Sequence, residues 1–191
     1  MHRLCASLVV LAATAMVACG PPDIPRKLAI ETGCGDDNSR VITEAIEVWN
    51  AAGREYVGQE LIDPQGLYTD EDGLQIDSDL HDGRNVLYCV NDPALFEVFK
   101  GEGGPGTAGT TFGEDIIVYP FKIVDKTTGQ VTLDGVREVA MHELGHFLGF
   151  PHSSDPESIM YWRHIDGKFK NGLAPSDLQN LCIIYDCVKQ P

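Results

Sequence analysis

Basic residues are scarce in this chain: 14 lysines and arginines stand against 29 aspartates and glutamates, giving a formal net charge of −15. A surface of that sign repels phosphate backbones, which excludes nucleic acid as a partner class. Long apolar runs are also lacking. The longest, from Leu4 to Val17, falls short of the roughly 20 residues that a membrane-spanning helix needs. No internal repeat is present, and 191 residues is the length of about one domain, with enough hydrophobic side chains for a sizeable core. A monomer that folds by itself is expected.

The short apolar run has a use of its own. In "MHRLCASLVVLAATAMVACG", Arg3 precedes the run and small residues follow it, which is the layout of an export signal. The stretch "MVAC" resembles the lipobox of bacterial lipoproteins, with Met16 where leucine is usual, and makes Cys19 the candidate lipidation site. Residues 1–18 are then the signal, 19–26 a proline-rich linker and 27–191 the functional domain. Ordinary cleavage after Ala15, giving a soluble secreted protein, is the other reading. Both export the chain. Apart from Cys5 and Cys19, the cysteines are Cys34, Cys89, Cys182 and Cys187. An even number in an exported chain predicts two disulfides, with three connectivities open.

Along the domain, "KLAIETG" reads as a first strand and "NSRVITEAIEVWNAAG" as an amphipathic helix, with Ser39 as its cap and Gly53 past its end. The runs "NVLYCV", "GTAGTTF" and "DIIVYPFKIV" are β-rich and separated by glycine, proline and aspartate. A second helix is predicted from Leu133 to Leu148, with Asp134 at its N-cap and Val136, Ala140, Leu144 and Phe147 as its buried stripe. A third begins near "APSDLQNL", where Pro175 suits an early helical position. The order is strand, helix, several strands, two helices, an α+β pattern with a mixed sheet.

The chemistry sits in "HELGHFLGFPH", residues 142–152. His142 and His146 are four residues apart, so on a helix they stand about 6 Å apart along the axis on one face. That spacing suits two nitrogen ligands of one zinc ion. Glu143 is rotated off the line of the two histidines, placed to take a proton from water beside the metal rather than to ligate. The next same-face position lies too far along the axis for a third ligand, so the chain must turn. Gly149 permits a left-handed exit, Pro151 prevents the helix from resuming, and His152 is carried back towards the metal. Three histidine ligands leave a fourth position open, as catalytic zinc sites do. A bare HExxH arises by chance on helices, but three histidines, a glutamate and a glycine fixed together do not.

HExxHxxGxxH is the signature of the metzincin zinc peptidases, and "SIMY" resembles their Met-turn, with Met160 as its methionine. The stretch "VAMHELGHFLGFPHSSDPESIMY" is similar to the matrixin branch, the matrix metalloproteinases and their bacterial relatives, in which serine follows the third histidine and tyrosine the Met-turn methionine. "AIEVWN" and "LAPSDLQNLCIIY" resemble that branch's first and last helices. The resemblance implies a sheet of about five strands backed by two helices, one carrying the histidines, with a third helix in a small C-terminal subdomain. It implies that "GTAGTTF", from Gly106 to Phe112, is an edge strand that pairs antiparallel with an extended peptide. It also implies hydrolysis of internal peptide bonds, with one zinc held by His142, His146 and His152, Glu143 as general base, Met160 as a floor under the metal, and a primed-side pocket lined from Tyr161 to Gly172.

Some features depart from that family. The short linker leaves no room for an inhibitory cysteine switch, and His81 and His164 are too few for a second, structural zinc. Trp162 stands where proline is common. The acidic segment "TDEDGLQIDSDLHDG" offers Asp70, Asp72, Asp77, Asp79 and Asp82 as oxygen ligands for calcium, without the EF-hand spacing; a solvated acidic loop is the other reading. Against a zinc endopeptidase acting on extracellular or cell-envelope proteins stand a non-catalytic zinc-containing surface or adhesion protein and an exopeptidase. Glu143 favours catalysis, since a purely structural zinc has no need of a carboxylate beside its ligands.

Overall fold

The computed structural model describes residues 23–69, 82–99, 107–163 and 169–191. Its strands are β1 (Arg26–Glu31), β2 (Ile62–Tyr68), β3 (Val86–Cys89), β4 (Gly109–Phe112) and β5 (Asp115–Val118), and its helices α1 (Gly35–Ala52), α2 (Pro93–Phe99), α3 (Leu133–Phe147) and α4 (Pro175–Tyr185). They form one five-stranded sheet in the order β2-β1-β3-β5-β4. β1 pairs parallel with β2 and β3, and β3 pairs parallel with β5; β4 alone runs antiparallel, as the terminal strand against β5. The α+β class and the mixed sheet are as the sequence pattern predicts, and five strands is the number that the family resemblance implies.

Alternation along the strands divides the interior into two cores. Leu87, Ile116 and Val118 join Leu28, Ile42, Ile46, Trp49, Val136, Leu144 and Phe147 beneath α1 and α3. Val86, Tyr88, Ile117 and Tyr119 face the other way, under Phe96 and Phe99 of α2. The sequence pattern does not predict α2. Its seven residues are too few for a clear helical period, yet its aromatic side chains close a sheet face that open water would otherwise meet.

Boundaries differ in instructive ways. α1 begins at Gly35 rather than beside Ser39, and its first turn carries Asp36 and Asp37, the sign that the positive helix start favours. At α3 the N-cap is Thr132, not Asp134, which lies inside the first turn. In "DIIVYPFKIV" the strand ends at Val118, Tyr119 adds one last bond by donating its N–H to Ala108 O at 2.9 Å, and Pro120, which has no N–H to offer, begins a 3-10 turn over Pro120–Lys122. β4 spans only Gly109–Phe112 of the predicted edge strand; Gly106 lies outside the described residues. β2 is a further strand that the sequence pattern does not predict. Asn50 secures its start from α1, donating to Ile62 O and accepting from the N–H groups of Leu61 and Ile62.

The disulfides pair Cys34 with Cys89 and Cys182 with Cys187. The first joins the turn before α1 to the end of β3 across 55 residues of sequence, and loop-closure entropy assigns such a crosslink about 4 kcal/mol. Cys182–Cys187 closes a separation of five and is worth about 2 kcal/mol by the same relation. Chemical denaturation of Cys34→Ser/Cys89→Ser is expected to show the larger loss and Cys182→Ser/Cys187→Ser the smaller; the reverse order would contradict this ranking. Among the described residues no helix is long and apolar enough to cross a membrane.

Candidate metal centre

α3 brings the first two histidines together because Val136, Ala140, Leu144 and Phe147 bury one side of it completely, while Glu143 on another side meets β4. The helix ends in a Schellman arrangement: Phe150 N–H donates to Gly145 O and Gly149 N–H to His146 O, each at 2.9 Å. Gly149 takes φ +92°, a left-handed conformation that a side chain resists. Arg26 caps the last turn, its guanidinium 3.9 Å over the Phe147 ring and donating to Phe147 O. Tyr185 OH donates to Leu148 O at 2.7 Å. The exit is held from both the sheet and α4.

The exit delivers His152. The imidazole centroids are 4.8 Å apart for His142 and His146, 5.3 Å for His142 and His152, and 4.6 Å for His146 and His152. One ring nitrogen from each lies within 4.8 Å of the others, the one such cluster of metal-binding side chains among the described residues. His142 Nδ1 lies 2.8 Å from Ile159 O and His146 Nδ1 2.9 Å from Phe150 O. Donation to those carbonyls places the lone pair on each Nε2. Burial drives the His142 pKa down to about 4, with its Ile159 contact opposing, and lowers that of His146 for the same first reason. Neutral imidazole is the ligand form. Two nitrogens bound to one tetrahedral zinc at about 2.05 Å stand about 3.3 Å apart, and Nε2 of His146 lies 3.1 Å from Nε2 of His152. The donor set fits zinc.

Met160 is fully buried, with its sulfur against Gly145 of α3. A Cβ on Gly145 would meet Met160 Sδ at 2.2 Å. The turn at Met160 meets the histidine segment through two carbonyls: Ile159 O accepts from His142, and Met160 O accepts from the N–H of Ser153, next to His152, at 2.8 Å. The turn in turn is held by Asp177 of α4, which is fully buried and accepts from Ser158 Oγ and, at 2.8 Å each, from the N–H groups of Ile159 and Ala174. In the sequence Asp177 is visible only as a first-turn acid. Asp177→Ala would leave three buried donors unmet, and we expect a stability loss of about 3 kcal/mol or more. Weaker zinc binding should accompany it, measured by denaturation and chelator competition; unchanged values for both would contradict the arrangement.

Glu143 is 6% exposed, enclosed between α3 and β4. Thr111 Oγ1 of β4 donates to its Oε2 at 2.8 Å. Burial pushes the Glu143 pKa up to about 7, against the lowering effect of that hydrogen bond. The charge of a bound dication opposes the rise. Past the Met-turn, Trp162 is exposed with the Arg163 guanidinium 4.0 Å over its ring. Lys170 Nζ donates to Ser158 O at 2.8 Å. Of the remaining candidates named from the sequence, Asp82 binds Arg84, accepting from its N–H at 2.8 Å. Cys19, His81, His164 and the acidic residues Asp70, Asp72, Asp77 and Asp79 lie outside the described residues.

Known proteins give the same answer. The family model described as matrixin matches residues 38–186. Matrix metalloproteinase-15 of Homo sapiens is 36% identical over 86 residues, 43% of this chain and 12% of that protein. Matrilysin of Felis catus is 46% identical over 48 residues, 25% of this chain and 18% of that protein. The chain thus spans under a fifth of the length of these curated relatives. The crystal structure of archaemetzincin from Methanopyrus kandleri superposes with a TM-score of 0.52 at 17% identity, covering 84% of this chain and 96% of that one, a likeness of fold. With its three histidines, glycine exit and Met-turn assembled on that fold, and most of its length matched by one family model, the chain belongs to the matrixin family.

Proposed function

We propose that this chain is an exported zinc endopeptidase that hydrolyses internal peptide bonds of extracellular or cell-envelope proteins. The observation that carries this reading is the Glu143 carboxylate, buried and hydrogen-bonded beside the three converging imidazoles. When bound to His142, His146 and His152, zinc supplies a Lewis acid that polarises the scissile carbonyl and acidifies water. Glu143 takes the proton from that water and passes it to the nitrogen of the leaving amine. The outer edge of β4 offers its backbone to an extended peptide, whose main-chain hydrogen bonds serve many sequences alike. Of the primed-side lining that the family resemblance implies, Tyr161, Trp162 and Gly172 are among the described residues. Met160 has a packing role only. A non-catalytic surface protein would have no use for a carboxylate enclosed at this point.

Export rests on the amino-terminal pattern, with residues 1–18 as signal, Cys19 as lipidated anchor, 19–26 as linker and 27–191 as the catalytic domain. Two disulfides fit an oxidising compartment. Incubating the intact protein with a peptide library and mapping products by mass spectrometry tests the activity. Cleavage at internal bonds that stops on chelation is the expected result. Trimming from the ends alone, or no cleavage with zinc supplied, would overturn the endopeptidase reading.

A further inference from the structure

Thr111 is 32 residues from Glu143 in sequence, yet its hydroxyl meets that residue twice: Oγ1 lies 2.8 Å from Glu143 Oε2 and 3.1 Å from the Glu143 main-chain oxygen. Gly109 points to the same side of β4, two residues earlier, and its lack of a side chain makes the room. A Cβ there would stand 2.7 Å from Glu143 Cγ, 2.8 Å from Val139 Cγ1 and 2.9 Å from Glu143 Oε1. The Glu143 side chain therefore packs against bare backbone at Gly109, with one carboxylate oxygen tied to Thr111 two residues on along the strand.

We propose that Thr111 is a positioning residue for Glu143, fixing the rotamer in which Oε1 is left free to take and return a proton. This rests on the endopeptidase reading above. A glutamate has three side-chain torsions to fix, and burial alone leaves the carboxylate free to turn about the last of them. The Thr111 hydroxyl removes that freedom. A hydroxyl has one proton to give and lone pairs to receive one. It donates to Oε2 while the carboxylate is ionised. When Oε1 carries the proton, Oε2 is the carbonyl oxygen of the acid and still accepts from the same hydroxyl. One contact thus holds one geometry through both halves of the proton's journey, and it does so from the strand that would receive the peptide.

The test compares Thr111→Val, which keeps the volume and removes the hydroxyl, with Thr111→Ser, which keeps the hydroxyl. Misplacing a reacting group by about an ångström costs up to about 100-fold, so Thr111→Val is expected to lower kcat by about 10- to 100-fold. KM for the same peptide and the zinc stoichiometry should stay near wild-type values. Thr111→Ser should recover most of kcat. A wild-type kcat in Thr111→Val, equal losses in both variants, or a change carried by KM would each overturn the proposal. If the wild-type protein cleaves no peptide, the endopeptidase reading fails instead. Crystals of the metal-free wild type and Thr111→Val then decide the positioning claim: a displaced Glu143 carboxylate in the variant supports it, and an unmoved one overturns it.

Discussion

Glu143→Ala is expected to lower kcat/KM by a factor of roughly 10² to 10⁴, the range that a positioned general acid–base group contributes, while the protein keeps its zinc. The separation of the two effects follows from the geometry. The metal site is built from His142, His146 and His152, whose orientation depends on Ile159 O, Phe150 O and the Met-turn. Glu143 contributes to none of these contacts. Its hydrogen-bond partner is Thr111 on β4, and truncation leaves that hydroxyl within reach of the main-chain oxygen of residue 143. Peptide cleavage and metal content measured on the same preparation check the prediction. Retained zinc with unchanged cleavage would remove Glu143 from the mechanism.

Gly145→Ala should do the opposite, damaging the metal site through packing alone. A Cβ at that position would lie 2.2 Å from Met160 Sδ, 3.1 Å from Met160 Cε and 3.2 Å from Trp49 Cζ2. Neither neighbour has space to retreat. Met160 and Trp49 are both fully buried, and Trp49 is fixed by its Nε1 donating to Met141 O at 2.9 Å and by an edge contact with Phe150 at 4.8 Å. Overpacking of a filled core costs about 1–3 kcal/mol. The strain is relieved by moving the Met-turn, and with it the carbonyls that orient His142 and hold Ser153 beside His152. Losses of orienting contacts of this kind weaken metal binding by about 10- to 100-fold. A competition titration with a chelator, alongside a denaturation curve, measures both. Wild-type zinc affinity in Gly145→Ala would show that Met160 does not support the site.

The sequence discloses the metal site more fully than the fold around it, and the reason is range. His142, His146, Gly149 and His152 lie within eleven residues, and helix periodicity with one glycine exit determines their relation. α3 itself is legible because Val136, Ala140, Leu144 and Phe147 repeat at helical spacing and are buried as predicted. β2 is not, because Pro64 and Gly66 inside "IDPQGLY" are turn residues; the structure tolerates them on the outermost strand, where a missing N–H is harmless. α2 is too short to show a period. Asp177 shows locally only as a first-turn acid and Thr111 not at all; each acquires its further role from a partner at least 18 residues away, Ile159 for Asp177 and Glu143 for Thr111. Gly109 and Gly145 are silent in the sequence for the same cause. Their importance is a neighbour's side chain that the folded chain brings within 3 Å of where a Cβ would stand.

The central claim is that three histidines of this chain hold one zinc ion on which peptide cleavage depends. Titrating the metal-free protein with zinc, while following metal binding and cleavage of an internally quenched peptide together, tests it most directly. Both signals should rise in step and level off at one equivalent, and His152→Ala should fail to reach either plateau. Cleavage that persists without zinc, or full binding and cleavage in His152→Ala, would contradict it.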